Sequence, residues 1–271
     1  MGLFSHGEMN DPSVAFRTFM IHARLAAVVI EDEPLRFRGA DNNDFNVLEL
    51  GPGDSPFSAA FASALGATRT WLVDAGRFAA ETSSAYAALQ QFLGSAAGVS
   101  KPNLDVPPVA SLPALLEACN AVYLTDGVKS FEGIADGSID YCFSNAVLEH
   151  VRVAEFADLA RHLFRIIKPN GVAVHRVDLR DHIGGALNNL RFSRRTWESA
   201  LFSSSGFYTN RIGMREMVDM FERAGFACEM PTVLRWSTLP TPRKTMDKEF
   251  RQRPEDDLLV YAFDLINRKV T

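Results

Sequence analysis

The amino-acid sequence predicts an α/β protein built on a doubly wound, mostly parallel sheet with helices on both faces. Short apolar runs alternate with segments of helical periodicity, and the first apolar run ends in a glycine-rich turn. The 271 residues are 47% hydrophobic and 23% charged, which is ordinary globular composition. A chain of this length buries enough surface to fold without disulfides or structural metals.

The first predicted element is a helix from Ser13 to Ile30, where apolar residues recur at roughly helical spacing. Asp11 is a suitable N-cap, with Pro12 in the first turn. Polar residues then connect this helix to the first strand. We therefore divide the chain into an N-terminal helical segment, residues 1–44, and a main domain, residues 45–271.

The main domain begins the strand–helix alternation. Its predicted strands, in chain order, are residues 45–50, 70–74, 121–125, 138–144, 171–179, 227–236 and 258–266. Its predicted helices are residues 56–65, 79–93, 115–119, 155–167 and 215–224. Residues 180–210 interrupt the alternation with polar side chains and scattered aromatics, and we interpret them as a lid or substrate-binding insertion.

The turn after the first strand carries the strongest signal of function. Gly51 and Gly53 allow a ligand to approach the backbone closely, because a side chain there would occupy the ligand's place. Asp74 ends the next strand, 21 residues after Gly53, where a carboxylate can accept hydrogen bonds from two ribose hydroxyls. These residues predict a nucleoside-containing cofactor.

Two further residues narrow the kind of cofactor. A dinucleotide fingerprint would place a third glycine at position 56, but that residue is Pro56, which disfavours a pyrophosphate at the helix N-terminus. Glu49 adds a carboxylate just before the turn, which suits a positively charged ligand better than a phosphorylated one. Both residues argue against a nicotinamide-dependent oxidoreductase.

Several motifs in order resemble the class I S-adenosylmethionine-dependent methyltransferases. Glu49-Leu-Gly-Pro-Gly53 matches the first motif of that family, and Asp74 matches its ribose-binding acid. The stretch from Ser138 to Val151 resembles the fourth-strand motif "s-F-D-x-x-x-S-x-x-V-L-E-H-V", and Leu163 to Gly171 resembles "R-v-L-k-P-G-G". Asn170 replaces the usual first glycine of that second stretch, and asparagine tolerates left-handed backbone.

The resemblance implies a Rossmann-like, seven-stranded sheet with the cofactor between strands one and four. It also implies the roles of the residues near that cofactor. Glu49 would lie near the methionine amino group, and Asp126, Gly127 and Val128 would line the adenine pocket. Ser144 and Asn145 would face the methionine part or the acceptor. The expected cofactor is S-adenosylmethionine, with S-adenosylhomocysteine as product.

The acceptor side has several candidate catalytic residues. His150, just after the fourth strand, is either a general base or a histidine that packs on a helix face. Asp178 and His182, at the end of the fifth strand, could form a base and its orienting partner. This Asp/His group could also hold a divalent metal, although its spacing does not favour one.

The insertion and the strand before it supply candidate acceptor-binding residues. These are Arg176, Asn188, Asn189, Tyr208, Asn210 and Arg211. Amides suit hydroxyl groups and rings suit sugar faces; alternatively, the aromatics fill a small satellite core. The stretches His175 to Phe192 and Gly206 to Arg211 are similar to bacterial methyltransferases often found beside glycan-building enzymes.

The sequence therefore predicts a methyltransferase of EC 2.1.1 type that methylates a hydroxyl of a sugar, glycan or other small molecule. The alternative is a non-catalytic protein that binds S-adenosylmethionine or a partner. A net charge of −5 and the lack of an Asn-Pro-Pro-aromatic motif argue against nucleic-acid methylation. With no leader or membrane-spanning run and three scattered cysteines, we expect a cytoplasmic protein, compatible with a homodimer.

Overall fold

The computed structural model describes residues 9–32, 35–40, 44–95 and 109–270. Its strands are β1 Val29–Ile30, β2 Arg36–Phe37, β3 Asn46–Leu50, β4 Arg69–Val73, β5 Ala121–Leu124, β6 Ile139–Asn145, β7 Ile167–Asp178, β8 Ala227–Arg235 and β9 Val260–Arg268. Its α-helices are α1 Pro12–Leu25, α2 Ser58–Ala64, α3 Ser83–Gly94, α4 Leu112–Ala118, α5 Val153–Ile166, α6 Arg194–Trp197, α7 Ala200–Ser203, α8 Met214–Ala224, α9 Lys248–Arg251 and α10 Glu255–Leu258.

Seven strands form one sheet in the order β5-β4-β3-β6-β7-β9-β8, which confirms the predicted doubly wound, mostly parallel α/β fold. Strands β3, β4, β5 and β6 pair in parallel. Backbone hydrogen bonds join Lys269 to Gly171 and Leu179 to Tyr261, so β7 and β9 run antiparallel. The sheet is therefore parallel at one end and antiparallel at the other.

Contacts divide the chain into two compact units. Of the described residues, the N-terminal unit holds those between 9 and 145, residues 165–174 and residues 268–270. The C-terminal unit holds residues 146–164 and 175–267. The predicted boundary at residue 45 stays a prediction.

Helix α1 is part of the N-terminal unit and packs there through its aromatic face. The ring of Phe19 lies 5.4 Å from that of Phe143 on β6, and Phe16 lies 5.1 Å from Phe61 on α2. The Asp11 side chain accepts the backbone N–H of Ser13, which confirms the predicted N-cap.

The end of α1 and the start of β7 differ from their predicted positions. Helix α1 ends at Leu25, five residues early, because Ala27 adopts a left-handed φ of 59° and the next residues pair with β2. Strand β7 begins directly after α5, four residues before the predicted start at Gly171. Asn170 does adopt the predicted left-handed conformation, with φ of 63°.

The C-terminal unit contains the insertion and the antiparallel strands. Helix α8 ends where predicted, at Gly225, whose φ is 114°. A Cβ at Gly225 would lie 2.7 Å from the Phe164 ring, so both space and backbone require glycine. Within the described ranges, no helix is long and apolar enough to cross a membrane.

Candidate active site

The carboxyl ends of the four parallel strands are in register within the N-terminal unit. Leu50 pairs with Val73 on one side and with Ser144 on the other, and Val73 pairs with Leu124. The residues that follow these strands therefore lie along one edge of the sheet. Ligands of doubly wound folds bind at this edge, and all nine predicted cofactor residues lie at or beside it.

Asp74 joins the ends of two strands. Its Oδ2 accepts the backbone N–H of Gly53 at 2.9 Å, and its Oδ1 accepts the N–H of Ala75 at 2.7 Å. The side chain is 7% exposed. A carboxylate has about four acceptor positions, and these two backbone N–H groups occupy two of them.

The turn after β3 requires its glycines. Gly51 has φ of 71° and Gly53 has φ of 60°, a region that residues with a Cβ rarely adopt. The N–H of Gly51 is donated to the carbonyl of Val73 at 2.7 Å, which fixes the start of the turn. The close approach of a ligand predicts glycine at both positions. The left-handed backbone is a second reason for glycine there.

Glu49 is a buried carboxyl group behind this turn. It is 5% exposed and accepts the hydroxyl of Ser58 on α2. Burial raises the pKa of Glu49 to about 8, the nearby Asp74 adds to the rise, and the Ser58 hydrogen bond opposes it. A cationic ligand group beside Glu49 would restore its charge, so the site suits an ammonium or sulfonium.

The remaining predicted cofactor residues follow β5 and β6. Asp126 is exposed, and its N–H is donated to the hydroxyl of Ser130 at 3.0 Å. Gly127 has φ of 56° and donates its N–H to the carbonyl of Asp74, and Val128 beside it is half-buried. Both therefore lie next to the end of β4.

Ser144 and Asn145 end β6 at this edge of the N-terminal unit. The Ser144 side chain is fully buried, whereas Asn145 is half-buried. The exposure of Asn145 leaves it the more accessible of the two to a ligand.

Tyr123, which is not among the predicted site residues, holds the loop after Asp74. The hydroxyl of Tyr123 accepts the N–H groups of Phe78 and Ala79 at 3.0 and 3.3 Å and is donated to the carbonyl of Gly76 at 3.0 Å. One phenol therefore positions the loop that borders the predicted ribose site. A tyrosine one residue before the end of a strand gave no sequence signal for this role.

In the C-terminal unit, His150 and His182 lie together. Their ring centroids are 5.1 Å apart in an edge-to-face arrangement, and both residues are exposed. The Nδ1 of His150 lies 2.8 Å from the carbonyl oxygen of Tyr208. Because a carbonyl only accepts, this contact places a proton on Nδ1 of His150.

The predicted pairing of Asp178 with His182 is not present. Instead, the carboxylate of Asp178 accepts hydrogen bonds from Arg180, including one from Nε at 2.9 Å. The guanidinium of Arg180, two residues along the chain, offers several donors in a planar fork. It therefore binds the Asp178 carboxylate in the place expected for His182. Arg176 is likewise bound, to Asp264 at 3.1 Å, which occupies one of its donor nitrogens.

The aromatic residues of the insertion pack on each other, which favours the satellite-core interpretation over sugar stacking. Ring centroids 5.4 to 6.3 Å apart connect Trp197 to four neighbours, which are Phe192, Phe202, Phe207 and Tyr208. Trp197 is fully buried and donates its Nε1–H to the carbonyl of Thr209.

Three predicted acceptor residues support this core. The amide of Asn210 donates to the carbonyls of residues 148 and 151 and accepts the N–H of residue 212, so all of its polar atoms are engaged. Tyr208 donates its hydroxyl to Glu198. The guanidinium of Arg211 lies over the rings of Trp197 and Phe250, at 5.4 and 4.9 Å.

A polar pocket opens beside this core, entirely within the C-terminal unit. Asn189, Asn210 and Arg211 line it together with Glu149, which the sequence analysis did not select. Asn188, half-buried, donates its backbone N–H to Asp181 in the same loop. In the described part of the chain, no group of three histidine, cysteine or acidic side chains is placed to hold a metal ion.

Residues 21–230 match a protein family described as a methyltransferase domain. No curated protein matches the chain. A solved structure similar to it is phosphoethanolamine N-methyltransferase 2 of Haemonchus contortus, with a TM-score of 0.48 and 14% identity over 94% of this chain and 52% of that one. The chain thus spans about half the length of that protein.

Two other similar structures are close to this chain in length. One is an S-adenosylmethionine-dependent methyltransferase of Mesorhizobium loti, with a TM-score of 0.46 and 19% identity over 90% of this chain and 95% of that one. The other is the YcgJ protein of Bacillus subtilis, with a TM-score of 0.48 and 13% identity over 97% of this chain and all of that one.

Proposed function

The chain belongs to the methyltransferase domain family, and from this membership we propose that it transfers a methyl group from S-adenosylmethionine to a hydroxyl of a sugar, a glycan or another small hydroxylated molecule. The observation that carries the cofactor assignment is the pair of buried carboxyl groups, Glu49 and Asp74, at the ends of adjacent strands. They offer separate partners for a cationic group and for a ribose.

The residues of the N-terminal unit fit this cofactor. Glu49 would hold the methionine ammonium, whose charge favours the ionised form of a carboxyl that burial otherwise keeps neutral. Asp74 would accept the ribose hydroxyls, and the turn at Gly51 and Gly53 leaves room for the ligand beside its backbone. The loop held by Tyr123 would border the ribose.

When bound, S-adenosylmethionine supplies an electrophilic methyl group on a sulfonium, which is transferred by in-line displacement. An acceptor oxygen forms the new C–O bond as the C–S bond breaks, and the sulfur keeps the electron pair. The hydroxyl proton must leave, and we assign it to Nε2 of His150 or to the ring of His182 beside it. A base of this kind favours a hydroxyl acceptor over a neutral amine, which needs none.

Calorimetric titration with S-adenosylmethionine and S-adenosylhomocysteine tests the cofactor assignment. We expect wild-type binding in the micromolar range, or about −8 kcal/mol. Asp74→Ala should abolish binding, whereas Asp136→Ala, which removes an exposed carboxylate of the same unit, should not. No binding by the folded wild type would overturn the proposal.

An acceptor screen with methyl-labelled cofactor then tests catalysis. Transfer to sugars or glycans would support the hydroxyl assignment. Cofactor binding without transfer to any member of a broad panel would instead favour the non-catalytic alternative.

A further inference from the structure

The pocket in the C-terminal unit contains buried polar atoms that the protein itself leaves without partners. We propose that this pocket binds a hydroxyl-bearing part of the acceptor, and that Glu149 and Asn189 are the side chains that hold it. The assignment of the ligand as the acceptor rests on the proposed function, whereas the pocket is a feature of the C-terminal unit alone.

Glu149 presents one carboxyl oxygen to the protein and leaves the other available. The residue is 1% exposed, and its Oε1 accepts the backbone N–H of Asp178 at 3.2 Å. Among the residues that the structure describes, none hydrogen-bonds to its buried Oε2. Buried polar atoms are almost always satisfied by protein groups, ordered water or a ligand, so this oxygen indicates a partner from outside the chain.

Asn189, on a different element, also has a buried polar atom without a hydrogen-bond partner among the described residues. The residue is 2% exposed, its Nδ2 is 2.8 Å from the hydroxyl of Thr209, and its buried Oδ1 has no partner within the described ranges. The Thr209 hydroxyl both donates and accepts, so the amide could be turned around without losing that contact. In either orientation one end of the Asn189 amide is left for a ligand.

The charges around the pocket favour a neutral ligand. Arg211 and Arg253 line the pocket, and each has a carboxylate partner: Arg211 lies 3.7 Å from Glu198, and Arg253 lies 3.7 Å from Asp257. Burial raises the pKa of Glu149 to about 8, so this carboxyl group is mostly protonated at neutral pH. The charges that line the pocket are therefore matched within the described residues, which favours a neutral ligand over a phosphate or an ammonium.

A hydroxyl group satisfies these side chains better than other neutral groups. It donates one hydrogen bond and accepts two, so it suits either form of Glu149 and either orientation of the Asn189 amide. The Nε of Arg211, which also lines the pocket, is buried and without a partner in the described residues, so it is a further hydrogen-bond donor there. Aliphatic side chains complete the pocket wall; they include Leu179, Leu187, Ile212 and Val260.

Saturation-transfer NMR on the full chain tests the pocket, with methyl α-D-glucopyranoside and methyl α-L-rhamnopyranoside as probes. We expect transfer to at least one probe, and at least about tenfold weaker binding in Asn189→Leu, because a buried hydrogen bond is lost. The matched control is Asn267→Leu. Asn267 is also a buried asparagine with one amide end unpartnered in the described chain, but it lies outside the pocket.

The outcome of this experiment does not depend on whether the chain binds S-adenosylmethionine, so the pocket and the proposed function can fail separately. Probe binding lost in Asn189→Leu but kept in Asn267→Leu supports the pocket, whether or not S-adenosylmethionine binds. No transfer by the folded wild type, or equal binding by Asn189→Leu, overturns it even if the cofactor titration succeeds. Asn189→Ser, a smaller change with the same expected loss, replaces Asn189→Leu if that variant does not fold.

Discussion

The carboxylate of Asp74 accepts the N–H of Gly53 at 2.9 Å, so the residue that ends β4 also fixes the turn that ends β3. The two strands are paired in register up to Leu50 and Val73, and this hydrogen bond extends their connection beyond the sheet. The predicted ribose-binding residue therefore has a structural task as well. Its replacement should change the turn in addition to removing the proposed contact with the ribose.

The turn can be tested without replacing Asp74. Gly53→Ala places a Cβ at φ of 60°, which should lower the free energy of unfolding by about 1–2 kcal/mol. Urea denaturation measures this change. Gly133→Ala is the control, because no atom lies within 4 Å of a Cβ at that position, and it should not destabilise. Equal effects of the two substitutions would contradict the role of the turn.

Glu49 should make stability depend on pH. Burial raises its pKa from 4.5 to about 8, so between these values the folded state binds more protons than the unfolded state. This stabilisation is fully present below pH 4.5 and is lost as the pH rises through about 8. Denaturation of the wild type and of Glu49→Gln should be measured across this pH range. The difference between their free energies of unfolding should shrink as the pH rises.

Glu149 should also make the free energy of unfolding depend on pH, because burial raises its pKa to about 8 as well. Glu49→Gln should therefore remove only part of the fall in stability with pH, and adding Glu149→Gln should remove more. A wild-type stability that is flat between pH 5 and pH 8 would show that neither carboxyl is held neutral.

Cofactor binding should release a proton from Glu49. At pH 7 the free site is mostly protonated, and an ammonium placed beside it would favour the ionised form. Calorimetry in two buffers of different ionisation enthalpy measures the release. S-adenosylmethionine and S-adenosylhomocysteine should behave alike, since both carry the ammonium, and Glu49→Gln should release none. Release that persists in this variant would place the titrating group elsewhere.

Replacing either histidine of the pair should leave cofactor binding unchanged, and replacing at least one of them should lower turnover. His150→Ala and His182→Ala should keep their affinity for S-adenosylmethionine, and at least one of them should lower turnover of an identified acceptor by about 100-fold or more. His162→Ala, on helix α5 in the same unit, is the control and should retain activity. Wild-type turnover in both variants would remove the base assignment.

The sequence predicted the parallel sheet and the turn after its first strand because these depend on local patterns. Strand periodicity, Gly51 and Gly53 in the turn and Asp74 after the next strand are all visible within about 30 residues. Helix α1 was drawn too long because its apolar spacing continues past Leu25, whereas the left-handed Ala27 that ends it has no typical sequence signature.

The acceptor side was harder to predict because it depends on which side chains meet. Asp178 was assigned to His182 on proximity in sequence, but Arg180 is closer and offers more donors. His150 was predicted as a site residue and its neighbour Glu149 was not, because the sequence does not show which of two adjacent polar residues is buried. The aromatics of the insertion were compatible with a core or a sugar platform, and only their mutual packing distinguishes these.

The order in which residues join the N-terminal unit has a consequence for folding during synthesis. Lys269 completes this unit: its N–H is donated to Gly171, its carbonyl accepts the N–H of Asn170, and its ammonium reaches the carbonyl of Ile167 at 2.8 Å. A ribosome reaches Lys269 only after translating all of the C-terminal unit. Until then the emerging chain carries an unpaired strand edge, a common starting point for aggregation, so expression at a slower rate or with a chaperone should raise the yield of native protein.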